Sequence, residues 1–288
     1  MSFVRTYDTA TASKSPLRHL LSIVRYPGVI WQNRFMVQNF LRRDLMGRFH
    51  GSLLGAYWLL MQPLFLFAVY YFVFGLLNGR LGPEFALYMF SGVVCFHALT
   101  EATSTGCVII TDNGNLVKKV AFPSEVLPLH GALASLVVFG VGALVTLVLG
   151  LAFGVLRPTW LLLALPLTAF AQLTMTMGFI FLLGTWHVFV RDTAQLWRII
   201  SMAWMFMSPV FWHIEDINKL PSWVVTLLTN FNPAYSLIQA HRAAMGMVGP
   251  EFVDFWGLLA TAMAWGLGLL LAGYANFVAK KHMFADLI

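Results

Sequence analysis

The sequence predicts an all-α membrane protein with six transmembrane helices and an amphipathic interfacial helix ahead of them. Three observations carry this prediction. Apolar residues make up 59% of the 288-residue chain, and charged residues only 10%, against about 25% in soluble domains. Mean hydropathy is +0.76, more apolar surface than a soluble core can use. Finally, the lysines and arginines are spread unequally between the segments that join the apolar runs.

Residues 1–28 form an N-terminal segment to which the sequence assigns no role. They and the residues just after contain no apolar run followed by a small-residue cleavage site, so no signal peptide is expected. Residues 29–50 read as the interfacial helix. Val37, Leu41 and Leu45 recur at helical spacing with Phe40 and Phe49 beside them, while Arg34, Arg42, Arg43 and Arg48 lie mostly off that stripe and Asp44 sits among them. Such a helix lies apolar side down with arginines toward lipid phosphates. It is either a passive anchor or a gate beside an entrance. Gly51 then allows the turn into the bilayer.

A crossing helix needs about 20 mostly apolar residues. Six runs qualify within 53–279: 53–77, 85–110, 127–153, 160–187, 196–212 and 254–279, the fifth being short. Cys95 and Cys107 fall on the second, about 18 Å apart on one helix and out of disulfide reach. With the N-terminus inside, the inner segments hold fourteen of the eighteen lysines and arginines. Both termini, including the tail 280–288, are therefore expected on the cytoplasmic side and 213–253 on the outer side. In 213–253 "HIEDINK" is polar, whereas "WVVTLLTNF" and "AYSLIQAHRAAMGM" are amphipathic helical patterns. The net charge of +6 thus reports topology, and no nucleic-acid partner is expected.

Sequence motifs for chemistry are missing. There is no phosphate loop, no H-E-x-x-H, no G-x-S-x-G and no Cys/His cluster with metal spacing. The chain is expected to bind no metal and no cofactor, and any work it does draws energy from another subunit. Two short cytoplasmic loops offer a grip for such a partner. In the loop 112–126, Asn113 and Gly114 break the preceding helix and "NLVKKV" can form a short one, ended by Pro123; the alternative is an ordinary basic inner loop. The other loop is "HVFVRDTAQLW" (187–197), where Arg191 and Asp192 can pair or cap the next helix.

Two spans carry aromatic stripes at helical spacing: Phe67, Tyr71 and Phe74, with Tyr70 adjacent, on the first, and Trp197, Ser201, Trp204, Ser208 and Phe211 on the fifth. Aromatic faces and hydroxyls suit the lining of a channel; the alternative is packing or interfacial anchoring. On the second span, His97, Glu101 and Ser104 share one face. Glu101 can face a lumen, pair with His97, or sit near the headgroups. Gly51/Gly55 and Gly150/Gly154 are spaced for close helix approach.

Four segments, "RRDLMGRFHGSLLGAYWLLMQPLFLFAVYYFVFG", "NGNLVKKVAFPSEVLP", "FVRDTAQLW…MSPVFW" and "NPAYSLIQAHRAAM", occur in that order. Together, over about 36–280, they resemble the membrane subunit of ABC-2 type exporters of lipid-linked polysaccharide, a group that handles O-antigen, capsule and teichoic acid. The resemblance implies a permease of the bacterial inner membrane, a homodimer paired with two copies of a cytosolic ABC ATPase, which would hold the ATP and magnesium. It implies that the N-terminal helix, with Arg42, Arg43, Asp44 and Arg48, is a gate helix. It implies that Asn115, Leu116, Val117, Lys118 and Lys119 form a coupling helix on the ATPase, and that 213–253 folds into short re-entrant helices at an outer gate. An ABC-2 permease for a drug or lipid, or a membrane-embedded glycan transferase, are the competing readings.

Overall fold

A computed structural model describes residues 22–47, 55–79, 81–119, 122–249 and 252–288. Among these residues the chain is helical throughout, with no strand. A bilayer offers the backbone no hydrogen-bond partners, so a spanning chain satisfies itself within helices. After a 3-10 turn at Ser22–Arg25 come α1 (Tyr26–Gln32) and α2 (Arg34–Gly47). Next are α3 (Trp58–Asn78) and α4 (Pro83–Cys107), then two four-residue helices, α5 (Ile109–Asp112) and α6 (Gly114–Val117). The longest, α7 (Val126–Ala152), precedes a 3-10 turn at Trp160–Ala164 and α8 (Leu165–Phe189). The remainder comprises α9 (Thr193–Met207), α10 (Ile214–Ile217), α11 (Ser222–Thr229), α12 (Pro233–Met245), α13 (Phe255–Lys280) and α14 (Phe284–Leu287).

Four described stretches are long and apolar enough to cross a membrane: Pro83–Cys107, Val126–Ala152, Trp160–Phe189 and Phe255–Leu287. The first three lie within three residues of the runs read at 85–110, 127–153 and 160–187; the fourth starts one residue into the run read at 254–279 and continues to Leu287. The first run is represented by α3, whose strongly apolar part, Met61–Leu77, is shorter. The fifth run differs more. Helix α9 has fifteen residues, about 22 Å against a hydrocarbon core of roughly 30 Å. It stops at Met207 because the residue before Pro209 avoids the helical region, and Ser208 is extended (ψ 155°).

Local chemistry sets the other ends. Extended Gly82 precedes Pro83 at the first turn of α4, with Glu84 beside it, a start that suits the missing proline N–H and the helix dipole. Asn232 caps α12 by accepting from Ala234 N–H at 3.1 Å, followed by Pro233. Asp254 caps α13 through Gly257 N–H at 3.0 Å.

Helix α8 is the central post, packed on α13, α4, α7 and α12. Its closest neighbour is α13, where two glycines meet. A Cβ on Gly178 would sit 2.5 Å from the Leu269 carbonyl carbon, and one on Gly273 would sit 2.5 Å from the Gly178 oxygen. Within one chain, then, Gly178 and Gly273 bring two helix backbones together, whereas Gly55, Gly150 and Gly154 bring no other helix close. Gly51 lies outside the described residues and Gly55 has open space around it. Gly150 meets only the Leu156 side chain within the adjoining turn, and Gly154 again has open space.

Both described chain ends gather at one end of the bundle. The Tyr26 ring packs on Phe181 (5.8 Å) and Tyr274 (5.1 Å). Phe284 is fully buried against Phe277 (5.3 Å), and Ile288 covers Gly114. The helix read over 29–50 is in fact two. It breaks at Asn33, whose side chain donates back to Val29 O at 2.8 Å. The stripe of Val37, Phe40, Leu41 and Leu45 is turned into the protein: α2 packs on α7, Val37 is buried, and Phe40 stacks on His130 (5.4 Å) and meets Phe122 (6.3 Å). An apolar stripe buries equally well against lipid or protein, so periodicity alone does not choose between them.

Candidate functional site

Two layers of side chains concern transport, one aromatic and one polar. The aromatic layer joins α3 to α4 and to the turn at 208–212. Phe67 stacks on Tyr71 (5.6 Å) and meets Phe90 edge-on (5.3 Å). Tyr70 and Phe74 both reach Phe211 at 4.8 Å. Tyr71 reaches Phe85 (6.2 Å) and its hydroxyl donates to Gly82 O at 3.5 Å. These four side chains of α3 are half-buried. The stripe on α9 is deeper. Trp197 Nε1 donates to Thr103 Oγ1 at 3.0 Å, and Phe179 lies between Trp197 (5.2 Å) and Trp204 (5.6 Å).

Within a single chain this stripe faces α4, α8 and α12. Trp197, Ser201, Ser208 and Phe211 are each at most 8% exposed, while Trp204 is half-buried. These side chains already fill packing space, which is the packing alternative weighed from the sequence. What α9 leaves open is its other face, with Ile199, Ile200, Met202 and Phe206 exposed.

The polar layer lies toward the opposite end from the termini, and sequence reasoning missed its centre, Arg242. That residue counted only as an outer positive charge, yet its side chain is fully buried. The guanidinium donates to Pro209 O (2.6 Å), Tyr88 O (2.6 Å), Gln239 Oε1 (2.9 Å) and Ser91 Oγ (3.1 Å), and lies 3.4 Å over the Tyr88 ring. A fork of five donors meets four acceptors on three elements, so α12, α4 and the 208–212 turn are tied together. Asn232 makes a second tie: it accepts from Trp204 Nε1 (2.8 Å) and donates to Met207 O (3.0 Å) and Ser208 Oγ (3.3 Å). Deeper in, His241 Nε2 donates to Gln172 Oε1 at 2.9 Å. The Asn-Pro step at 232–233 was a readable helix start; nothing in the sequence marked Arg242 as buried.

His97 Nε2 lies 3.7 Å from Glu101 Oε2 on α4. Of the three placements open for Glu101, the structure shows the pair with His97.

The end that bears the termini carries the loop elements. Helix α6 covers only Gly114–Val117, so "NLVKKV" is helical in its first half; Asn115, Lys118 and Lys119 are exposed and Leu116 and Val117 half-buried. Arg43 reaches Asn113 Oδ1 at 3.4 Å and stacks over Phe40 (4.9 Å). Arg42 is exposed and Asp44 half-buried; Arg48 lies outside the described residues. Lys281 pairs with Glu125, and Tyr26 OH donates to Glu125 O at 3.2 Å. Burial, with Tyr274 and Glu125 beside it, pushes the Tyr26 phenol well above its usual range, so it remains a donor. Asp192 opens α9 without a side-chain cap.

An apolar all-helical bundle, with basic loops at one end and a braced polar layer toward the other, is the build of a transporter's membrane subunit. The ABC-2 type transporter family matches residues 37–245, and the chain belongs to that family. It is 28% identical to the O-antigen export system permease protein RfbA of Myxococcus xanthus, over 92% of this chain and 100% of that one. Two O-antigen export system permease proteins RfbA of Klebsiella pneumoniae are 26% and 24% identical, each over 85% of this chain and 92% of their own length. The chain is thus a membrane protein of a transporter family whose members serve as the membrane-embedded part.

Proposed function

We propose that this chain is the permease of a bacterial exporter of lipid-linked polysaccharide of the O-antigen or capsule type. One observation carries the reading: the relatives named O-antigen export permeases align over nearly their full length, and the one from Myxococcus over all of it. In this reading the chain crosses the inner membrane six times, with α3 as the first crossing and α9, continued by 208–212, as the fifth. Both termini are cytoplasmic. Residues 213–253 lie outside, with α12 as a re-entrant helix of the outer gate. Helix α2 (Arg34–Gly47), the longer described part of the expected gate helix, serves as a gate at the inner surface, and the loop 112–126 docks on a separate ABC ATPase through Asn115, Leu116, Val117, Lys118 and Lys119. Two copies of the chain and two of the ATPase make the working unit, and ATP and magnesium stay on the ATPase.

The conduit lies between the two chains. Its aromatic surface is supplied by Phe67, Tyr70, Tyr71, Phe74 and Trp204, which retain exposed area. Trp197, Ser201, Ser208 and Phe211 support that wall from behind. Half-buried aromatics give apolar CH contacts to a sliding sugar ring without holding any unit tightly.

The test is genetic. In a cell whose own gene is deleted, the chain and its ATPase together restore surface polysaccharide, neither does so alone, and lipid-linked glycan accumulates inside the deletion strain. Full surface polysaccharide in the deletion strain would overturn the proposal. So would a deletion phenotype confined to loss of a small lipid or drug efflux.

A further inference from the structure

We propose that a cavity at the end opposite the termini is a binding site for a neutral or amino-substituted sugar, a station where exported glycan leaves the conduit; this rests on the export reading above. The cavity holds about 700 Å³, the size of an ordinary ligand pocket. It is built from connections that all lie at that end: Gly79, Leu81 and Gly82 between α3 and α4, Gly154 and Arg157 after α7, His213 and Glu215, and 247–249 with Phe252 before α13. Its chemistry is mixed. Glu84, Glu215 and Arg157 line it together with Phe85, Tyr88 and His213. Carboxylates accept from hydroxyls, a guanidinium donates to ring and hydroxyl oxygens, and the half-buried His213 ring, stacked on Tyr88, offers its outer face to the CH face of a sugar. Among the described lining residues two carboxylates stand against one guanidinium, a balance that disfavours a polyanion.

The walls are held firmly. Two groups stack on Tyr88: the Arg242 guanidinium at 3.4 Å and the His213 ring at 3.7 Å from the ring centre. At those distances they occupy opposite faces. The Tyr88 hydroxyl donates to Trp212 O at 2.8 Å. On the facing wall, Arg157 N–H donates to Gly246 O at 2.9 Å. Gly246 has φ +91°, and a Cβ there would sit 2.5 Å from Arg157 O, so the loop rests directly on the end of α12. A site whose walls are fixed before the ligand arrives spends little affinity on ordering them.

The cavity also adjoins the aromatic stripe. Tyr71 contacts both Phe85 and Gly82, and both line the cavity. A ring leaving Tyr71 would meet the cavity next.

The test uses the permease–ATPase complex in nanodiscs. It is titrated calorimetrically with a short lipid-free oligosaccharide released from the surface polysaccharide of the cell that carries the gene. Saturable binding is expected, weakened about tenfold or more in the Glu84→Ala/Glu215→Ala variant, whose sites are exposed, because hydrogen bonds to charged groups carry such factors. Lys219→Gln, exposed in the same outer section but not in the cavity lining, binds like the wild type. If the alanine variant fails to assemble, Glu84→Gln/Glu215→Gln is measured instead. Unchanged oligosaccharide affinity in the carboxylate variants overturns the site while the export reading stands. Loss of binding to short-chain phosphatidylethanolamine, with oligosaccharide affinity kept, also overturns it and makes the cavity a lipid-headgroup site. A wild-type complex that binds no oligosaccharide and restores no export removes both.

Discussion

Asn232 uses its whole side chain. Its oxygen accepts from Trp204 Nε1 and Ala234 N–H, and its amide nitrogen donates to Met207 O and Ser208 Oγ. Replacing it with alanine removes a helix cap and leaves an indole N–H and a carbonyl unpaired in an apolar interior. At about 1 kcal/mol for each lost bond or cap, Asn232→Ala is expected to cost about 3 kcal/mol. The measurement is the melting midpoint of the detergent-purified protein, and a midpoint equal to the wild type would count against the tie. Such residues show where sequence reading reaches its limit. Asn232 before Pro233 is a legible helix start, whereas the run read over 196–212 passed through Pro209, which ends α9 at Met207. Arg242 announces nothing, because counting charges by loop does not say where a side chain points. The break at Asn33 has neither glycine nor proline to mark it.

At the scale of elements, the long apolar runs were legible because bilayer thickness imposes their length. The observed α4, α7 and α13 begin and end within three residues of the runs read from composition. The pairing of those helices was not legible, since spacing marks glycines that could meet another helix and not which helix they meet. Gly178 and Gly273 are used, bringing the α8 and α13 backbones into contact. Gly178→Leu would have to push α13 away from the central post, a change that overpacking penalties put at about 3 kcal/mol or more. Loss of a monodisperse peak on size exclusion is the expected outcome, with Gly140→Leu as the control, since nothing lies within 4 Å of a Cβ there. Similarly, α2 carries an amphipathic stripe that sequence placed against lipid, while the structure seats it on α7 through Phe40 and Val37.

The whole molecule has two unlike ends, and the export reading assigns them to opposite sides of the membrane. Impermeant maleimide added to intact spheroplasts tests this assignment. Both natural cysteines, Cys95 and Cys107, are buried and give little background. Lys219→Cys is expected to be labelled, whereas Lys118→Cys is expected to react only after lysis. Labelling of Lys118→Cys in intact spheroplasts would invert the topology and separate the basic loop from any cytosolic ATPase.

The most direct measurement is transport itself in inverted membrane vesicles that contain the chain and its ATPase. Lipid-linked polysaccharide on the outside should become protected from added glycosidase when ATP is supplied, and only when both proteins are present. Protection that develops without the ATPase, or none with both proteins and ATP, would contradict a conduit driven from a separate subunit.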